Sequence, residues 1–261
     1  MLHRLNCVAR FYPLISSFPE IQFRDGLCGG ITKTGRLAIF FFCFLVVVTS
    51  ASSLSANTVA EYDVSGPARV IDGDTLAVGS QVIRISGIDA LEDAQSCSDS
   101  RGRSWQCGAS ATNALRKLSA GGVRCLGSEF DAYNRLIASC VANKLDIGKS
   151  LVLDGLALAY RRYSALYVAD EAEAKKAGRG VWQGKFVEPW QWRETKWQQT
   201  EKSVPASGCP IKGNISKDGL KIYHAPWSRS YDRTRIDESK GERWFCDEAE
   251  AIAAGWRAPF R

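Results

Sequence analysis

The sequence predicts an α+β fold: a small five-stranded barrel carrying three helices over residues 57–194, followed by a second, smaller unit. Three observations carry this. Short apolar runs separated by the turn dipeptides Asp72-Gly73 and Gly79-Ser80 make a meander of three strands. A helical stretch follows the third run and stops at Gly121-Gly122. Two further strand-like runs then lead into two more helices, each closed by glycine. Five short strands with a helix after the third are the pattern of an OB-type barrel.

The first strand starts at Ala60-Glu-Tyr-Asp-Val64 and leads into Pro67-Ala-Arg-Val-Ile71. Thr75-Leu-Ala-Val78 returns after the turn, and Gln81-Val-Ile-Arg-Ile-Ser86 alternates as a half-buried strand does. Residues 109–118 read as the first helix, and Val123–Leu126 and Leu136–Val141 as the last two strands. Ile147–Leu153 is a short helix ending at Gly155; Tyr167–Lys176 is the third, stopped by Gly178 and Gly180. Residues 195–208 are polar, carry Pro205 and Gly208, and read as a linker. The remaining unit, residues 209–261, is too short to bury much surface and needs a covalent staple.

A chain that is 45% hydrophobic and 24% charged is globular in composition. Its formal charge is +6, yet residues 57–208 hold 19 basic and 18 acidic residues. Attraction to a polyanion must therefore come from a local patch. Residues 1–56 read as a leader. Lys33 and Arg36 precede an apolar run, Leu37–Val48, and small polar residues follow to Ala56, as in a signal peptide. A run of 12 falls short of the roughly 20 residues that span a bilayer. Cleavage is preferred to a retained signal anchor, and a secreted or periplasmic protein is expected. In an oxidising compartment the six later cysteines read as disulfides. Spacing favours Cys97 with Cys107 around a polar loop, Cys125 with Cys140 on neighbouring strands, and Cys209 with Cys246 bracketing the small unit. Zinc is disfavoured, because no CxxC pair occurs and His3 and His224 are the only histidines.

One stretch holds the candidate chemistry. Asp74 follows a tight turn, Arg84 lies on the third strand, Asp89 and Glu92 lie just beyond it, and Arg135 opens the fifth strand. Carboxylates at strand ends can converge on a hard cation. Two guanidiniums suit a phosphate, whose oxygens match their fork. Together these are the parts for attacking a phosphodiester with water. A histidine base is disfavoured, since His224 is far from this stretch in sequence.

Val70-Ile-Asp-Gly-Asp-Thr-Leu76, Arg84-Ile-Ser-Gly-Ile-Asp-Ala-Leu-Glu92 and Asp131-Ala-Tyr-Asn-Arg135 resemble, in order and strand placement, the signature segments of the staphylococcal nuclease (thermonuclease) family. The resemblance runs from about Ala60 to Trp192. It implies an OB-fold barrel with three helices that cleaves DNA and RNA with calcium. On that resemblance Asp74, Asp89 and the carbonyl of Ala90 would hold calcium, Glu92 would be the general base, and Arg84 and Arg135 would bind the scissile phosphate. Tyr133 and Tyr163 align with nucleotide-contacting tyrosines. Three positions depart from the family: Leu91 replaces a proline and is expected to loosen the turn before Glu92, Ala132 replaces a phosphate-binding lysine, and Arg161 replaces a tyrosine. Loss of Arg84 or Glu92 is expected to cost rate with little loss of fold.

Trp182, Trp190, Trp192 and Trp197 cluster with basic residues and read as packing for the barrel, with base stacking as the alternative. The C-terminal unit resembles a small extracellular module, sometimes called a sunset domain; the resemblance implies no chemistry, and contact with the envelope or a polysaccharide stays open. Two alternatives to a nuclease stay open: a nucleic-acid-binding barrel without catalysis, and an accessory protein of exopolysaccharide (succinoglycan) biosynthesis.

Overall fold

The computed structural model describes residues 60–204 and 208–260; the leader at residues 1–56 lies outside them. The chain opens with β1 (Tyr62–Gly66) and β2 (Ala68–Val70), two halves of one segment bent at Gly66-Pro67. There follow β3 (Thr75–Val78), β4 (Gln81–Ile85) and a short β5 (Ile88–Ala90). A small hairpin, β6 (Cys97–Ser98) with β7 (Ser104–Trp105), precedes α1 (Cys107–Ser119). Then come β8 (Val123–Phe130), β9 (Leu136–Ala142), β10 (Leu145–Asp146), α2 (Ile147–Leu153) and β11 (Ala157–Ala159). Two helices, α3 (Val168–Lys176) and α4 (Pro189–Glu201), end this part.

The main sheet runs β1-β8-β9-β4-β3-β2, with β10 extending β9. Because β1 and β2 are one continuous segment, its two halves pair with both ends of this series and the sheet returns on itself. The strand segments are thus the five that the sequence predicts. Within this sheet β4 and β9 pair in parallel; that requires a crossover, which α1 and β8 supply. Strand alternation decides what fills the barrel. In β9, Leu136, Ala138, Cys140 and Ala142 point inward and are buried. Leu76, Ile83, Ile85, Leu115 and Leu151 are each at most 1% exposed and pack with them. Arg84, between Ile83 and Ile85, therefore faces the other way.

The three expected helices are present, and α1 starts two residues earlier than its sequence pattern. The linker expectation needs correction: residues 195–201 are the second half of α4. Pro189 sits at the start of α4, where its missing N–H costs no hydrogen bond. The short pair β5 and β11 was not predicted either; it sets Asp89 opposite Leu158.

The C-terminal unit is a three-stranded sheet, β12 (Ile211–Ile215) flanked by β13 (Lys221–His224) and β14 (Arg243–Phe245), followed by α5 (Glu248–Ala253). Ile211, Tyr223, Phe245, Ala251 and Trp256 form its core, and Trp197 of α4 packs against them. The disulfides are Cys97–Cys107, Cys125–Cys140 and Cys209–Cys246, as spacing suggests. Cys125 and Cys140 are direct register partners across β8 and β9. The Cys209–Cys246 bond closes a loop with a sequence separation of 37. The loss of such a closure costs about 4 kcal/mol, a large share for so small a core. Replacing both cysteines by serine should speed hydrogen exchange throughout β12–β14 while β8 and β9 stay protected. Equal protection in both sheets would show that the bond contributes nothing.

Candidate active site

The turn before β3 is built by Asp72, whose carboxylate accepts the amide of Asp74 at 3.1 Å. It delivers Asp74 buried, at 4% exposure. One oxygen of Asp74 accepts from Arg84 at 2.6 Å and from the Thr75 hydroxyl at 3.1 Å. The other accepts the Ala90 amide at 2.8 Å, tying β5 to the turn. Arg84 stands opposite Thr75 on β4 and also donates to Asp89 at 2.9 Å. Asp89 is fully buried.

Glu92 follows β5 in a loop fixed at several points. Its amide donates to the Gln95 side chain at 3.1 Å, and its carbonyl accepts the Gln95 amide at 2.7 Å. The Cys97–Cys107 bond joins the same loop to α1. Gly108 of α1 sits so close that a Cβ there would lie 1.5 Å from the Glu92 carbonyl oxygen. Gly108→Ala should therefore displace Glu92 and cut activity at least tenfold with the barrel retained; unchanged kinetics would refute this packing. Leu91 is 1% exposed in the core, and its amide donates to the Leu156 carbonyl at 3.4 Å, a bond proline cannot make.

The sequence puts Arg193 only in a basic patch among the tryptophans; the structure makes it the group that completes the cluster. Arg193 of α4 donates to both oxygens of Asp89, at 3.1 and 2.8 Å, and to Glu92 at 2.5 Å. Two guanidiniums thus crosslink three carboxylates drawn from the first turn, β5 and its loop. Burial opposes the charge of each arginine, and the carboxylates overcome it, so both are held above the ordinary range. Burial pushes the Asp74 carboxyl up against the pull of Arg84. It pushes Glu92 up to about 8 against the pull of Arg193.

Arg135 stands apart from this crosslink. Asp131 accepts the amides of Tyr133 and Arg135, each at 2.9 Å, and the Arg135 side chain at 2.7 Å. Asn134 takes a left-handed φ of 56°, which asparagine tolerates, and so closes the turn. Arg135 lies over the Tyr133 ring at 5.0 Å. Asp74, Arg84, Ala90, Glu92, Tyr133, Arg135, Tyr163 and Arg193 line one cleft of about 730 Å³, while Asp89 is buried beneath the two guanidiniums. Ala132 is exposed and lines the same cleft; Arg161 is paired with Glu171 at 2.5 Å.

Among the described residues no three acidic, histidine or cysteine ligands gather as a ready metal site. The guanidiniums of Arg84 and Arg193 are interleaved among the carboxylates instead. The donor chemistry still fits a hard cation. Every candidate ligand atom is oxygen, and the carboxylates of Asp72, Asp74, Asp89 and Glu92 outnumber the two arginines. A cation reaching Asp89 must share it with a guanidinium or displace one.

A family model described as "Staphylococcal nuclease homologue" matches residues 82–184, from β4 through α3. The succinoglycan biosynthesis protein ExoI of Rhizobium meliloti (strain 1021) is 32% identical over 139 residues, covering 52% of this chain and 73% of that protein. An uncharacterized endonuclease of Haemophilus influenzae is 29% identical over 171 residues, 62% of this chain and 84% of that protein. The order of motif residues, their convergence in one cleft on a barrel that closes through β1 and β2, and these matches have one reading: the chain belongs to the staphylococcal nuclease homologue family.

Proposed function

We propose that the chain is an exported, calcium-dependent phosphodiesterase that hydrolyses the backbones of DNA and RNA. The observation that carries this is the Arg84–Asp89–Arg193–Glu92 crosslink opening on a cleft that Arg135 also lines. In this reading Arg84 and Arg135 bind the phosphate oxygens through their planar forks. They stabilise the charge that builds as water adds to phosphorus. Glu92 accepts the proton of the attacking water, and Arg193 holds its carboxylate in place. A base raised towards neutrality by burial is suited to that transfer. Asp74, Asp89 and the Ala90 carbonyl would hold calcium, which supplies further charge on the phosphoryl oxygens and a more acidic water. Three disulfides support export, since such bonds persist outside the reducing cytosol.

The test is cleavage of plasmid DNA and of an RNA by the purified protein, with calcium and then with excess chelator. Cleavage in calcium that stops on chelation is expected; no cleavage with calcium present would overturn the proposal. The second reading, a part in exopolysaccharide biosynthesis, is favoured by the name of the Rhizobium relative. It is compatible with the same cleft chemistry, and loss of polysaccharide in a deletion strain that an Arg84→Ala copy restores would separate the two.

A further inference from the structure

Helix α4 presents one stripe of side chains to the cleft. Trp190, Arg193 and Trp197 are spaced i, i+3 and i+7, and all three line it. Arg193 reaches down to Asp89 and Glu92. Trp190, 37% exposed, stacks on Tyr160 with centroids 6.2 Å apart and planes at 19°. Tyr160 in turn meets the exposed Tyr163 edge-on at 5.0 Å. Two turns further along α4, about 10 Å at 1.5 Å per residue, Trp197 faces Trp227 of the C-terminal unit at 6.2 Å and 36°. Two aromatic pairs therefore flank the guanidinium that holds Glu92. Trp227 is half-buried, packs on Trp197 and lines the cleft.

Rings that face a cleft beside phosphate-binding guanidiniums are the means by which single strands are held: bases stack on the rings and phosphates seat on the arginines. Glu194 and Glu248 lie in the same wall. The exposed carboxylate of Glu194 repels a phosphate from the rings and leaves it to Arg84 and Arg135. A sugar chain would stack on the rings too, but would leave those arginines without a phosphate.

We propose that Trp197 of α4 and Trp227 of the C-terminal unit form a base-stacking subsite that seats one nucleotide of a single strand beside the scissile phosphate. The C-terminal unit is then part of the substrate cleft. This rests on the nuclease reading, and the test separates the two. Wild-type protein is first assayed for cleavage. Affinity is then measured by fluorescence anisotropy in a Glu92→Gln background with calcium, using labelled octathymidylate and an abasic octamer of the same charge. Trp227→Ala should weaken octathymidylate binding about tenfold or more, the scale of one lost base–aromatic stack. It should leave the abasic octamer unchanged, and Trp227→Phe should restore most of the loss. Octathymidylate affinity untouched by Trp227→Ala overturns the subsite. So does an equal loss for both octamers, or Trp227-dependent binding of an acidic oligosaccharide in place of the octathymidylate. A wild type that cleaves nothing but shows the base-dependent loss sinks the nuclease reading and keeps the subsite.

Discussion

Arg84→Ala is expected to slow phosphodiester cleavage about a thousandfold, the upper range for removing one preorganised charge-stabilising donor. The sequence suggested that the fold would hardly notice. The structure changes that expectation, because Arg84 pairs with Asp74, itself buried at 4% exposure, while Asp89, its second partner, keeps Arg193. Breaking one partner of a buried ion pair strands the other's charge, at a cost of about 3–5 kcal/mol. The variant should therefore lose both rate and melting temperature. Arg84→Lys divides the two effects. It keeps a positive charge between the carboxylates but loses the fork, so more of the stability than of the rate should return. Steady-state kinetics and thermal melts on both variants decide it. Wild-type rate in Arg84→Ala would remove this residue from the site.

Glu92→Gln is the second large effect and runs in opposite directions for rate and stability. Loss of the base should cut the rate by orders of magnitude. Burial raises the Glu92 carboxyl from its ordinary value to about 8. A group whose folded value is raised contributes stability that is fully present below its unfolded value and lost as pH rises through the folded one. The metal-free protein should thus lose stability between about pH 5 and pH 8. Glutamine cannot ionise, so Glu92→Gln should flatten that decline and melt higher than wild type at pH 8. Calcium should narrow the gap by stabilising the wild type alone. Melts across this range with chelator check it; a parallel decline in both proteins would mean that Glu92 is not strained by burial. His224 bears the opposite sign. Burial lowers it to about 4, so its contribution is present at neutral pH and lost as pH falls.

The barrel was legible because its strands alternate cleanly and its turns carry glycine, as in Leu136–Ala142 and at Gly79. Helix α4 was not: its glutamines, glutamates, Arg193 and Lys196 favour helix, but it carries no continuous apolar stripe to signal a helical period. The pair β5 and β11, three residues each, exists only through tertiary pairing that periodicity cannot report. In the site, Asp74, Arg84, Asp89 and Glu92 were legible because they sit in compact motifs. Arg193 stands 101 residues from Glu92 and belongs to no motif. The spacing of Trp190, Arg193 and Trp197 was the available signal, and it has meaning only once residues 189–201 are known to be a helix. Asp72 read as an ordinary turn residue, which it also is.

The bond between Cys97 and Cys107 has a consequence for the cell that makes this protein. It anchors the loop after Glu92 to the start of α1, where Gly108 touches the Glu92 carbonyl. In a reducing interior that bond stays open, and the loop is held only by its hydrogen bonds and its packing in the core. An enzyme that cuts nucleic acid endangers its producer's own transcripts and chromosome. On the function proposed above, linking the alignment of Glu92 to oxidation would delay full potency until the bond forms, a form of self-protection that requires no separate inhibitor.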